Sequence, residues 1–142
     1  MKFILEDQMD GVEEFQGERI LFADDDRLCR EAIKILLSEK GLAVDTVESG
    51  EEAVTRYLQS EEEEYTAIFL DVHMMELDGY HAAHQIRQSG RRDSREVGIY
   101  AVSADLMPRR MEQVRRAGMN GYIMKPINYR ELFQVIHQEI NK

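Results

Sequence analysis

Four short apolar runs in this sequence each stop at a group that can act on a cation or an anion. ILFA gives way to Asp24, Asp25 and Asp26, IFL to Asp71, IYAV to Ser103, and YIM to Lys125. Carboxylates gathered in one place repel and raise one another's pKa, a penalty that a bound divalent cation removes. Oxygen donors select a hard ion. A few carboxylates with open coordination positions suit Mg²⁺ at about 2.0–2.1 Å per ligand, with Mn²⁺ a possible substitute. Such an ion is completed by water and phosphate oxygens. The Lys125 ammonium is a point charge for one more phosphate oxygen, and the Ser103 hydroxyl a donor to another. The Asp71 carboxylate would then be the nucleophile, forming an acyl phosphate while the metal offsets charge on the transferred group. A single aspartate at the end of an apolar run is ordinarily a capping or solvated group. The ordered set is what points to phosphoryl chemistry.

That chemistry needs the four runs to end at one place, and the pattern between them supplies the reason. Arg19–Asp26, Leu42–Val47, Tyr65–Asp71, Val97–Ala104 and Gly121–Lys125 read as strands, mostly apolar without alternation, as strands buried on both faces are. Helical stretches lie between and after them. Arg27–Lys40 carries a stripe of Leu28, Ala32, Ile33, Ile35, Leu36 and Leu37, closed by Gly41. Gly50–Leu58 is opened by Ser49, and Tyr80–Gln88 follows the third strand. Pro108–Ala117 has proline in its first turn and Gly118 after its end. Asn128 is placed to cap Arg130–Ile140. Five strands alternating with five helices predict an α/β, doubly wound parallel sheet covered on both faces, with right-handed crossovers. Ligands of such folds bind beyond the carboxyl ends of the strands, where all four polar termini fall.

The totals fit this picture. The 142 residues suit one domain with a proper core, and 43% hydrophobic with 32% charged residues is an ordinary globular balance. A net charge of −10, from 18 basic against 28 acidic residues, argues against nucleic acid or an anionic membrane as partner. Cys29 is the only cysteine, which excludes an intramolecular disulfide or thiolate cage and suits a reducing compartment. The N-terminus does not read as a secretory signal, and no apolar run approaches the roughly 20 residues of a membrane span. A cytoplasmic location is expected. Residues 1–17 read as an acidic tail or linker outside the core, and residues 18–142 as the domain. The sequence stops with its last helix, so no DNA-reading domain is expected.

The segments ILFADDD, IFLDVHMMELDG, VSA and AGMNGYIMKP, with the terminal helix, resemble the receiver domains of two-component response regulators. The likeness covers nearly all of the chain from Arg19 onward. It implies a flavodoxin-like sheet of order 2-1-3-4-5. It also implies Mg²⁺ held by Asp25, Asp71 and the backbone carbonyl of His73, with Asp24 acting through water. Asp71 would receive its phosphoryl group from a phosphohistidine on a histidine kinase or histidine phosphotransfer domain. Ser103 would then move to the phosphate, Tyr122 would turn inward, and Lys125 would hold the phosphate next to a cis bond to Pro126. Slow autodephosphorylation would act as a timer, and a phosphorylation-dependent dimer is compatible with the pattern. The wording AGMNGYIMKPI and LDGYHAAHQIR is most similar to receivers at the C-terminal end of hybrid sensor histidine kinases. The domain could thus be tethered through a membrane-bound parent, without membrane contact of its own.

Other functions fit less well. A phosphatase of the haloacid-dehalogenase type needs an aspartate two residues after the nucleophile, and His73 stands there. A flavin module of the same topology needs a Ser/Thr/Gly-rich loop where DDDRLCRE is found. A degenerate receiver used only for docking would not need the intact acids, serine and lysine. Met75 stands where the family commonly has proline, and Asp26 receives no catalytic role. His81 and His84 share a helical face but lack a zinc pattern, so these and His137 read as structural. The His73 side chain, beside the acceptor, could steer attacking water. Met74 is expected to pack beneath that loop, and Ala101, Ala104 and Leu106 to lie near the moving surface.

Overall fold

A computed structural model of the protein describes residues 14–74, 77–105 and 108–142. The expectations placed on Met75 and Leu106 lie outside them. Strands β1 (Arg19–Ala23), β2 (Ala43–Val47), β3 (Tyr65–Asp71), β4 (Gly98–Ser103) and β5 (Gly121–Met124) alternate with helices. These are α1 (Arg27–Glu39), α2 (Gly50–Gln59), α3 (Gly79–Arg87), α4 (Pro108–Arg116) and α5 (Tyr129–Ile140). The five strands form one parallel sheet in the order β2-β1-β3-β4-β5. This is the doubly wound α/β sheet, in the 2-1-3-4-5 order that the resemblance implies.

The central strands are buried on both faces, which is why their sequence runs apolar without alternation. Their side chains feed two cores. Leu21, Ile68, Leu70 and Ile99 pack under α2, α3 and α4, while Ile20, Phe22, Phe69 and Val102 pack under α1 and α5. Helix starts follow side-chain caps. Ser49, Asp78 and Asn128 accept from the amides of Glu52, His81 and Glu131. Asp26, given no role from sequence, is the cap of α1, accepting from the Leu28 amide.

Two expectations change. The apolar stripe on α1 is not all core: Ile33 and Leu37 are buried, whereas Leu28 and Ile35 are 75% and 59% exposed. A helix laid on a sheet buries one face, and positions 28 and 35 lie on the other side of its turn. The boundary of the domain moves as well. Phe15, assigned to the tail, is buried against Phe133 and stacked on His137 with centroids 4.5 Å apart. The amides of Phe15 and Gly17 donate to the carbonyls of Lys40 and Gly41 at 2.8 Å each. Gly41 has φ +96, and a Cβ there would strike the Phe15 carbonyl, so glycine serves both the turn and this close approach.

Candidate functional site

The carboxyl ends of β1, β3, β4 and β5 bring the predicted residues to one edge. β1 runs one residue past its ladder, the Asp24 amide donating to the Val47 carbonyl, and the chain then turns into α1. Asp24 is wholly buried and Asp71 is 4% exposed, while Asp25 faces solvent. One carboxylate oxygen from each of the three lies within 4.8 Å of the others. Lys125 reaches across from the end of β5, placing Nζ 2.8 Å from Asp24 Oδ2 and 3.1 Å from Asp71 Oδ2. The Lys125–Pro126 bond is cis. The other oxygen of each acid is held by its own loop. The His73 amide donates to Asp71 Oδ1 at 2.9 Å, and the Asp26 amide to Asp24 Oδ1 at 2.8 Å. Gly79 opens α3 against the Asp71 carbonyl, 2.6 Å from where a Cβ would stand, which lets the helix close over the loop.

The charges are unequally satisfied. Burial pushes Asp71 above the ordinary carboxylate pKa, and the nearby Asp24 charge adds to it. The His73 amide and Lys125 offset this only in part. Burial pushes Asp24 up too, but Lys125, the Asp26 amide and the Cys29 thiol together bring it below the ordinary value. Burial lowers Lys125, and the two carboxylates outweigh that, so the ammonium stays protonated. Cys29 is driven up to about 12, first by burial and then by the Asp24 charge, so it is a neutral thiol and not a nucleophile.

This donor set fits a hard divalent cation. It offers carboxylate oxygens only, one of the acids being solvent-facing and, among the described residues, without a side-chain partner. Ser103 is buried at the end of β4, but its hydroxyl is turned to its own loop. Oγ donates to the Asp105 carbonyl and accepts from the Asp105 amide, both at 3.0 Å. Tyr122 points outward at 39% exposure. Among the described residues, neither predicted switch residue is hydrogen-bonded to Asp71. His73 is exposed beside the acceptor, and Met74 is buried beneath the loop. His81 and His84 are exposed, and His81 Nδ1 lies 2.9 Å from Asp78 Oδ1.

Sequence reasoning missed three groups that shape this edge: the Asp26 cap, the Cys29 thiol at Asp24, and Arg30, whose Nη1 donates to the Asp24 carbonyl at 2.8 Å. An acid directly before a helix is a cap signal and could have been read. The other two depend on contacts across the first helical turn that no spacing marks.

The family model described as "Response regulator receiver domain" matches residues 20–137. The chain belongs to the response regulator receiver domain family. It is a receiver of two-component phosphorelay signalling, a signalling phosphoacceptor domain. Hybrid signal transduction histidine kinase I of Dictyostelium discoideum is 30% identical over 127 residues, covering 88% of this chain and 7% of its own length. The receiver thus spans a small fraction of the curated relatives it matches, from 6% to 14% of their length. Among solved structures, the receiver domain of a Pseudomonas aeruginosa sensor histidine kinase is 31% identical with a TM-score of 0.79. The match covers 89% of this chain and 99% of that one, and that structure has a magnesium ion coordinated in its active-site cleft. A Saccharomyces cerevisiae response regulator receiver, co-crystallised with a histidine phosphotransfer protein, shares the fold at 24% identity and TM-score 0.76, covering 87% of this chain and 89% of that one.

Proposed function

We propose that Asp71 accepts a phosphoryl group from a phosphohistidine and that the change at this edge is the signal. The observation that carries the reading is Asp71 itself: a nearly buried carboxylate with raised basicity, beside two further acids and a lysine that no apolar core needs. The charged Asp71 carboxylate attacks phosphorus, forming the O–P bond as the N–P bond breaks and its electron pair returns to the donor imidazole. Asp24, Asp25, Asp71 and the His73 backbone carbonyl would hold Mg²⁺, which when bound supplies positive charge to the transferred group. Lys125 leaves its bond with Asp71 Oδ2 for a phosphate oxygen. Ser103 exchanges its Asp105 contacts for another, and Tyr122 turns in behind it.

The chain does no other chemistry in this reading, apart from slow hydrolysis of its own acyl phosphate with the exposed His73 beside the attacking water. The donor is a histidine kinase or histidine phosphotransfer domain, as the hybrid kinase relatives and the co-crystallised yeast receiver suggest by their names. The domain works in the cytoplasm, free or tethered through a hybrid kinase parent. Neither nucleic acid nor membrane is a direct partner.

Incubation with acetyl phosphate and MgCl₂, followed by intact mass, tests the reading. The wild type gains one phosphoryl group and Asp71→Asn gains none; MnCl₂ in parallel reports metal tolerance. An equal gain in Asp71→Asn, or none in the wild type with Mg²⁺ present, defeats it. Light scattering on the same samples reports whether the phosphorylated form pairs.

A further inference from the structure

We propose that Arg30 is a positioning residue for the acidic loop, fixing the peptide from which Asp25 projects. The inference rests on the reading of Asp24, Asp25 and Asp71 as a cation site and names what orients it.

Asp24 is wholly buried, so its backbone carbonyl must find a partner inside the protein. Its amide is still in the sheet, donating to the Val47 carbonyl, but the chain then leaves β1. Arg30 supplies the missing donor from the first turns of α1, its Nη1 2.8 Å from the Asp24 carbonyl. The same residue's amide donates to the Asp26 carbonyl at 3.1 Å. Arg30 therefore grips the loop at two points on either side of Asp25. Asp26 completes the clamp, its amide donating to Asp24 Oδ1 and its own Oδ1 accepting from the Leu28 amide.

The three acids differ in how they are aimed. Asp71 is held by the His73 amide and Lys125, and Asp24 by the Asp26 amide and Lys125. Asp25 has no side-chain partner among the described residues, so its direction is set by its backbone alone. The peptide preceding it carries the carbonyl that Arg30 holds. Partners that orient a ligand in this way carry a large share of metal affinity, typically 10–100-fold.

Charge and position make opposite predictions for Arg30, which gives the test its force. A guanidinium near a cation site repels the cation, so removing it would tighten binding if charge were all that mattered. If Arg30 acts by position, removing it weakens binding. Calorimetric titration with MgCl₂ alone compares the wild type with Arg30→Met, which keeps the aliphatic stem, and Arg30→Lys, which keeps one donor. We expect Arg30→Met to bind about tenfold more weakly and Arg30→Lys to recover to within about threefold of the wild type. In the metal-free protein, exchange of the Asp26 amide proton should quicken in Arg30→Met and not in Arg30→Lys. Unchanged or tighter binding by Arg30→Met overturns the inference, as does an Arg30→Lys variant no better than Arg30→Met. If the wild type binds no Mg²⁺, the reading of the site fails and takes this inference with it. Wild-type binding with an unaltered Arg30→Met removes the inference alone.

Discussion

Asp71 and Asp93 are both nearly buried carboxylates, at opposite edges of the same sheet, and the protein treats them in opposite ways. Asp93, in the loop before β4, is fully engaged. The Tyr57 hydroxyl donates to its Oδ1 at 2.7 Å, the Glu63 amide to its Oδ2 at 2.8 Å, and Arg91 Nε lies 3.4 Å away. Arg91 also lies over the Tyr57 ring, 4.5 Å from its centroid, and donates to the Tyr57 and Ser60 carbonyls. Burial alone would raise Asp93, but those donors outweigh it and its pKa falls. Burial raises Asp71, and there the donors do not suffice. Asp45, within β2, is engaged as Asp93 is, bound by both Arg19 and Tyr65. At the edge that fastens the fold, the acids are satisfied. At the edge that works, two buried acids share one lysine, and a third is left open.

The largest way to break this contrast is to remove the cation from each edge. Lys125→Ala should slow phosphoryl uptake from acetyl phosphate by roughly 10²-fold, the usual loss when one charge-stabilising donor is taken from a transition state. Arg91→Ala should leave that rate within about twofold while lowering unfolding free energy by roughly 2–4 kcal/mol, because it strips a nearly buried ion pair and two carbonyls of their partner. Urea unfolding beside phosphorylation kinetics reads both. A Lys125→Ala protein that takes up phosphate normally would erase the distinction between the edges.

A smaller effect is expected from the acids themselves, in the metal-free protein. Asp93→Asn should cost about 1–2 kcal/mol at pH 7, whereas Asp71→Asn should be stabilising by up to about 1 kcal/mol. The pH dependence follows from the signs. The folded pKa of Asp71 lies above its ordinary 3.8, so its ionisation weakens the fold at neutral pH and that burden fades as pH falls through the raised value. The gap between the wild type and Asp71→Asn should therefore close on acidification toward about pH 4. The folded pKa of Asp93 lies below 3.8, so its contribution is full above that value and is lost only as pH falls through the lowered one. A wild type that matches Asp71→Asn in stability at every pH would mean that burial does not strain the acceptor.

The working edge was more legible in the sequence than the fastening edge. Asp24, Asp71, Ser103 and Lys125 interrupt apolar runs, and parallel strands must end on the same side, so order along the chain was enough to gather them. The fastening edge leaves no such mark. Asp93 and Arg91 sit in a polar stretch that reads as a plain loop, and Tyr57 as a helical core residue. Only the packing of α2 against that loop shows that the three are one unit. Phe15 was misread for a related reason. One aromatic after an acidic run carries no periodicity, and its burial depends on a groove made by α1 and α5, which lie far from it in sequence. The stripe on α1 failed differently, since apolar spacing identified a helix but could not tell its covered face from its open one. Leu28 and Ile35 obey the period and are exposed all the same.

The smallest effect should be the coupling between the two edges. A β-strand advances about 3.3 Å per residue, so the five-to-seven-residue strands β1, β3 and β4 separate them by roughly 15–20 Å, beyond the range at which independent sites normally interact. Mg²⁺ at ten times its dissociation constant should raise the unfolding free energy of the wild type by about 1.4 kcal/mol. Arg91→Ala, although destabilised, should gain the same increment to within about 0.5 kcal/mol, because its defect lies at the edge the ion does not touch. Asp25→Asn should gain less, having lost the one carboxylate not already shared with Lys125. A much smaller gain in Arg91→Ala would mean that the fastening edge holds the working edge in shape. The two would then be one cooperative structure, and the satisfied acids would belong to the switch as much as the strained one does.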